Sequence, residues 1–206
     1  MVIGVSALLM SSCRKDIKPM SEGTTPSVFA YPPLFSSYLP SIEEPLDNPT
    51  TVEGVELGRM LFFDVRLSGD NTQSCGSCHS PSSAFSDTSA YSIGIDGQEG
   101  GRNAMPLFNL AWMKNGLFWD GRANGMEAQA YAPVTDPVEM HETWPNAVSK
   151  IPYSALYQAV FTQVFGEAEL DSLKIVKAIA QFERSLISGN SPFDQFLAAN
   201  SAPGSS

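Results

Sequence analysis

The chain has 206 residues, of which 22 are acidic and 12 basic, giving a formal charge of −10, and 43% are apolar. That length and apolar content suit one folded domain with a real core and a tail. The negative charge argues against nucleic acid or an anionic membrane surface as a partner, and three cysteines are too few for a disulfide framework.

Residues 1–13, MVIGVSALLMSSC, read as an export signal. Val2 to Met10 is apolar but too short to span a bilayer. It runs into Ser11-Ser12-Cys13, which resembles a lipobox, so the expectation is a periplasmic protein anchored by lipid on Cys13. No Lys or Arg precedes the apolar run, which places the expected start of translation upstream of Met1. Seven of the fifteen prolines then fall between Pro19 and Pro49, so residues 14–50 read as an extended tether and 51–200 as the folded domain.

Within the domain the signals are helical. Glu53 to Phe63 brings Val55, Leu57, Leu61 and Phe62 together at helical spacing. Pro106 and Pro152 each stand where a first helical turn favours proline, opening PLFNLAWMK and PYSALYQAVFTQVF. From Asp171, Leu173, Val176, Ile179, Ala180, Glu183 and Leu186 recur at three and four, and the helix is expected to stop at Gly189-Asn190. Irregular stretches such as Ser80 to Gly101 separate these elements. The predicted fold is all-α, a c-type cytochrome-like haem domain with long loops.

That haem reading rests on SCGSCH, residues 74–79. The pattern Cys-x-x-Cys-His is the attachment site of a c-type haem. Cys75 and Cys78, one helical turn apart, would bond the two vinyl groups on one haem edge, and His79 would ligate the iron. A structural zinc site needs about four ligands, and His141 is the one further histidine. A thioredoxin-like redox pair would sit beside a βαβ pattern, which is absent. Eight methionines leave a rival open, a mono-haem electron-transfer module capped by Met or His141.

Six stretches decide for an enzyme: LGRMLFFDVRLSGD (57–70), SCGSCHSPSSAFSD (74–87), GRNAMPLFN (101–109), FWDGRANGMEAQA (118–130), PVTDPVEM (133–140) and FERSLISGNSPFDQFL (182–197). In them the chain closely resembles the bacterial di-haem cytochrome c peroxidases, a family that includes a relative oxidising tryptophans to mature a protein-derived quinone. The resemblance implies an oxidoreductase that reduces hydrogen peroxide to water with electrons from a small cytochrome or cupredoxin. An oxidase or peroxidase acting on an organic or protein substrate is the alternative within the family, and a homodimer is compatible with either.

By the same resemblance Glu139 is the acid–base carboxylate, Gln129 a hydrogen-bonding amide of the peroxide pocket, and Trp119 the indole that helps electrons cross between haems. Pro133 forms part of the pocket wall. Arg66 and Arg122 are expected partners of haem propionates through paired hydrogen bonds. Asn103 matches a calcium ligand at a domain junction. Two departures carry expectations of their own. Ile95 stands where several members place an iron-capping His, so the haem should be open without reductive activation, with His141 as the alternative cap. The family's second Cys-x-x-Cys-His is also missing from these 206 residues, so the chain is expected to be the peroxidatic half of a two-haem protein.

Overall fold

The computed structural model describes residues 24–27, 29, 33–151, 154–166 and 169–200; the expected export signal, Cys13 and Pro152 lie outside this set. Eight α-helices are present, with short 3-10 turns and isolated bridges, and no strand among the described residues. The expected all-helical class holds.

The centre is a pair of helices, α2 (Val52–Phe62) and α7 (Ser172–Ser185). Thr51 caps α2 by accepting the Gly54 amide at 3.0 Å, and Asp171 caps α7 by accepting the Lys174 amide at 2.8 Å. Leu57, Leu61 and Phe62 on α2 meet Ile175, Ile179 and Phe182 on α7, all of them buried. The helices approach so closely that a Cβ on Gly58 would lie 1.9 Å from the Ala178 carbonyl oxygen. Only glycine permits that contact.

Helix α7 ends earlier than Gly189-Asn190. The Leu186 amide closes on the Glu183 carbonyl at 3.1 Å, and the Leu186 carbonyl then accepts from the Asn109 amide at 2.8 Å. The Asn109 side chain holds Ser188 just beyond the helix, donating to its carbonyl and accepting its amide. The same contacts explain why Pro106 does not open a helix. The backbone donors of Leu107 and Asn109 go to Phe85 and Leu186, and only a 3-10 turn forms, Leu110–Trp112. Ser154 caps the next helix, α6 (Ala155–Phe165), accepting the Tyr157 amide at 3.3 Å.

The expected tether also needs correcting in its second half. Helix α1 (Pro33–Tyr38) packs Phe35 edge-on against Trp112, ring centroids 5.4 Å apart. Asn48, Thr50 and Thr51 are buried. Asn48 accepts from the Gln181 amide at 2.9 Å, Gln181 accepts from the Thr51 amide at 2.9 Å, and Arg184 donates to the Asn48 carbonyl and the Thr50 hydroxyl. Buried on nearly every side, α7 carries polar groups that must find partners. The proline-rich segment supplies them, because its extended backbone leaves carbonyls uncommitted. Asn48 and Arg184 both reach Glu127 as well, fixing the start of α4 (Met126–Thr135). Helices α5 (Trp144–Lys150) and α8 (Pro192–Asn200) complete the shell.

Candidate haem and peroxide site

Cys75 to Cys78 form a single helical turn, α3. The Ser74 amide donates to the Ser77 hydroxyl at 3.0 Å, and the His79 amide closes the turn on the Cys75 carbonyl at 3.0 Å. Both thiols are free. Burial pushes the Cys75 thiol up to about 12, with the nearby Glu183 carboxyl acting in the same direction. Burial also raises Cys78, against a hydrogen bond from Ser92.

A cavity of about 370 Å³ opens beside this turn. Cys78 and His79 line it on one side; Gln129, Pro133 and Glu139 line it as well, with Phe118, Trp119, Arg122 and Asn103. Six of the sequence-predicted residues that lie far from SCGSCH in the chain are thus brought to its cavity. Arg66 is not among the lining residues. Its guanidinium pairs with the buried Asp64 carboxylate, Nη2 to Oδ2 at 2.5 Å, and lies over the Tyr157 ring, 5.3 Å from the centroid. Tyr157 donates its own hydroxyl to Asp64 at 2.7 Å.

The His79 side is apolar. Phe62, Phe63, Phe85 and Phe182 form a cluster of rings 5.1–6.3 Å apart, and Cys75 and Phe85 pack against the buried core. His79 Nδ1 lies 3.1 Å from the Phe85 carbonyl oxygen, so Nδ1 carries the proton and Nε2 keeps its lone pair. Burial lowers the His79 pKa, opposed by the Phe85 and Met105 carbonyls. A neutral imidazole of fixed tautomer is what a metal needs.

On the other side Glu139 follows α4 in a turn. Burial raises its pKa, the Asp136 charge adds to the rise, and Arg122 opposes it. The Gln129 Oε1 atom is buried and has no hydrogen-bond partner. Arg122 lies over Phe118 at 3.7 Å and pairs with Asp120 at 2.9 Å, as does Arg102 from the 101–105 loop. Trp119 is 62% exposed and donates its indole N–H to the Asn103 carbonyl at 2.8 Å. The Asn103 side chain donates to Ala90 at 2.6 Å, and no cluster of three or more His, Cys, Asp or Glu suited to a metal occurs among the described residues. Of the alternative iron caps, His141 pairs with Asp96 at 2.5 Å, outside the cavity lining. Met105 lines the cavity but sets its backbone against His79 itself.

Two groups escaped the sequence reading. Arg102 lies within GRNAMPLFN but is assigned no role there, and Asp96 acquires meaning only when folding brings it to His141. The donor set fits haem c. One thiol, Cys78, lines the cavity with a neutral histidine of fixed tautomer and an unpartnered buried amide oxygen, and the second free thiol, Cys75, lies one turn back against the core.

The family model for di-haem cytochrome c peroxidase matches residues 52–202. The methylamine utilization protein MauG of Methylophilus methylotrophus is 38% identical over 160 residues, covering 78% of this chain and 48% of that protein. The cytochrome c551 peroxidase of Nitrosomonas europaea is 40% identical over 150 residues, covering 73% of this chain and 45% of that protein. A crystal structure of a MauG-like protein associated with microbial copper homeostasis superposes with a TM-score of 0.74 at 33% identity, over 79% of this chain and 49% of that one. The chain spans about half the length of the curated relatives it matches. With the family model matched over most of its length, the chain belongs to the di-haem cytochrome c peroxidase family.

Proposed function

We propose that this chain is the peroxidatic haem domain of a di-haem cytochrome c peroxidase, in which Glu139 moves the proton that peroxide cleavage requires. The observation that carries the reading is that Glu139, Gln129 and His79 line one cavity. When bound through Cys75, Cys78 and His79, haem c would supply the electron chemistry that reduces H2O2 to two waters. The chain's own residues do the rest. The Phe85 carbonyl holds His79 in the tautomer that leaves Nε2 free. Gln129 Oε1, with no other partner, accepts a hydrogen bond from a peroxide hydroxyl and orients it. The Glu139 carboxylate takes a proton from one peroxide oxygen and returns it to the other, so that the departing oxygen leaves as water. Burial suits Glu139 to this task, because a carboxyl held above its usual range exchanges protons more readily near neutral pH.

Arg122 is the proposed propionate partner, and the exposed Trp119 at the cavity mouth is the proposed route for electrons from a small redox protein. Asn103 is the chain's proposed contribution to a calcium site. The proposed location is the periplasm, with Cys13 as a lipid attachment point. The test is Glu139→Gln in the haem-loaded chain, which is expected to slow its reaction with H2O2 by about 10²-fold or more. An unchanged rate would remove Glu139 from the mechanism.

A further inference from the structure

The turn that carries Glu139 is held by the loop 92–97, which comes from a distant part of the chain. The Ile95 amide donates to the Glu139 carbonyl at 3.0 Å. Gly94 sits so close beneath the turn that an added Cβ would lie 2.0 Å from the Val138 carbonyl oxygen and 2.8 Å from that of Glu139. The Gly69 amide donates to the Met140 carbonyl at 2.8 Å. These contacts fix the backbone on either side of the carboxylate.

One side-chain contact closes the arrangement. His141 Nδ1 lies 2.5 Å from Asp96 Oδ2, across 45 residues of sequence. To present its ring there, His141 adopts φ +43°, a left-handed conformation uncommon for a residue with a Cβ. Its amide is anchored on the Asp136 carbonyl at 2.9 Å. The two side chains are 55% and 44% exposed, so their attraction adds little to global stability. Its effect is local. The pair sits one residue from Ile95 and two from Glu139.

We propose that Asp96 and His141 are positioning residues, a latch that fastens the loop 92–97 to the turn 136–141 and keeps the Glu139 carboxyl aimed into the cavity. The inference rests on the reading of Glu139 as the acid–base group. It gives the loop a fixed role: with Ile95 in place of an iron-capping side chain, the segment is a wall that holds the catalytic carboxylate.

The test uses the haem-loaded full chain with Asp96→Ala, His141→Gly, both together, and Asp96→Asn. Glycine tolerates the left-handed backbone and carries no side chain, so His141→Gly removes the latch without backbone strain. Asp96→Asn keeps an acceptor for the imidazole. Hydrogen exchange at the Ile95 amide should quicken about tenfold in the two latch-breaking variants. Their reaction with H2O2 should slow about five- to tenfold through misplacement of the carboxylate. The double variant should be no slower than either single one, Asp96→Asn should stay within about twofold of the parent, and the haem spectrum should not change. Parent-like peroxide rates in Asp96→Ala and His141→Gly would overturn the latch, whether or not the Ile95 exchange changed. Glu139→Gln run in parallel separates the two readings. If it is slow while the latch variants are fast, only the latch fails; if it is as fast as the parent, the acid–base reading fails first.

Discussion

The two walls of the cavity use the same physical force to opposite ends. On the His79 side, backbone carbonyls of Phe85 and Met105 face a buried imidazole, and burial pulls its pKa down. On the Glu139 side, polar side chains and two loops surround a carboxyl, and burial pushes its pKa up. Desolvation penalises charge wherever it falls. It therefore leaves one wall with a neutral base whose lone pair is free for a metal, and the other with an acid able to give and take a proton. The walls differ in construction too. The His79 wall is packed against the helical core, whereas the Glu139 wall is tied by backbone hydrogen bonds between loops.

The largest effect should come from removing the ligand on the first wall. His79→Gly leaves Cys75 and Cys78 in place, so haem should remain covalently attached on a denaturing gel while peroxide turnover disappears. Full turnover in that variant would mean that the iron faces another residue. The second wall should show itself in the pH profile of the peroxide reaction. Glu139 accepts a proton only when ionised, and its pKa is raised, so the rate should fall as pH drops through a value above the usual carboxylate range. In Glu139→Gln that acid limb should vanish along with most of the rate.

A smaller effect belongs to the helical core behind the first wall. Glu183 on α7 is 2% exposed and its Oε2 has no partner. Burial pushes it to about 8, with Glu127 adding to the rise and Arg184 opposing it. The folded chain thus keeps a proton that the unfolded chain releases above about pH 4.5, and stability should fall as pH rises from there to about 8. Glu183→Gln should flatten that slope, and urea unfolding at pH 5 and pH 8 should show a difference on the order of 1–3 kcal/mol between the parent's slope and the variant's. An identical slope in both would mean that Glu183 is ionised in the folded protein.

The first wall was legible from sequence because its residues are adjacent: one helical turn contains both thiols and leads straight into His79. Helices α2 and α7 were legible through spacing, and the folded structure supplied their caps, Thr51 and Asp171. What the sequence hid were relations between distant segments. PLFNLAWMK looks helical, yet its Leu107 and Asn109 amides are claimed by Phe85 and Leu186. The proline-rich stretch looks like a free tether, yet Asn48 and Thr50 answer the buried polar groups of α7. Arg66 looks like an anion binder, and its anion is Asp64, two residues away. Nothing local distinguishes Asp96 from any loop aspartate. Glu139 and Gln129 came from resemblance alone, and only folding sets them with His79 around one cavity.

The most direct measurement is the ferric optical and EPR spectrum of the exported, haem-loaded chain before and after one equivalent of H2O2. The account predicts a high-spin haem, open on the Glu139 side, whose spectrum changes promptly on addition of peroxide. A low-spin, six-coordinate haem inert to peroxide would contradict it, because some residue would then occupy the position that Glu139 and Gln129 are arranged to serve.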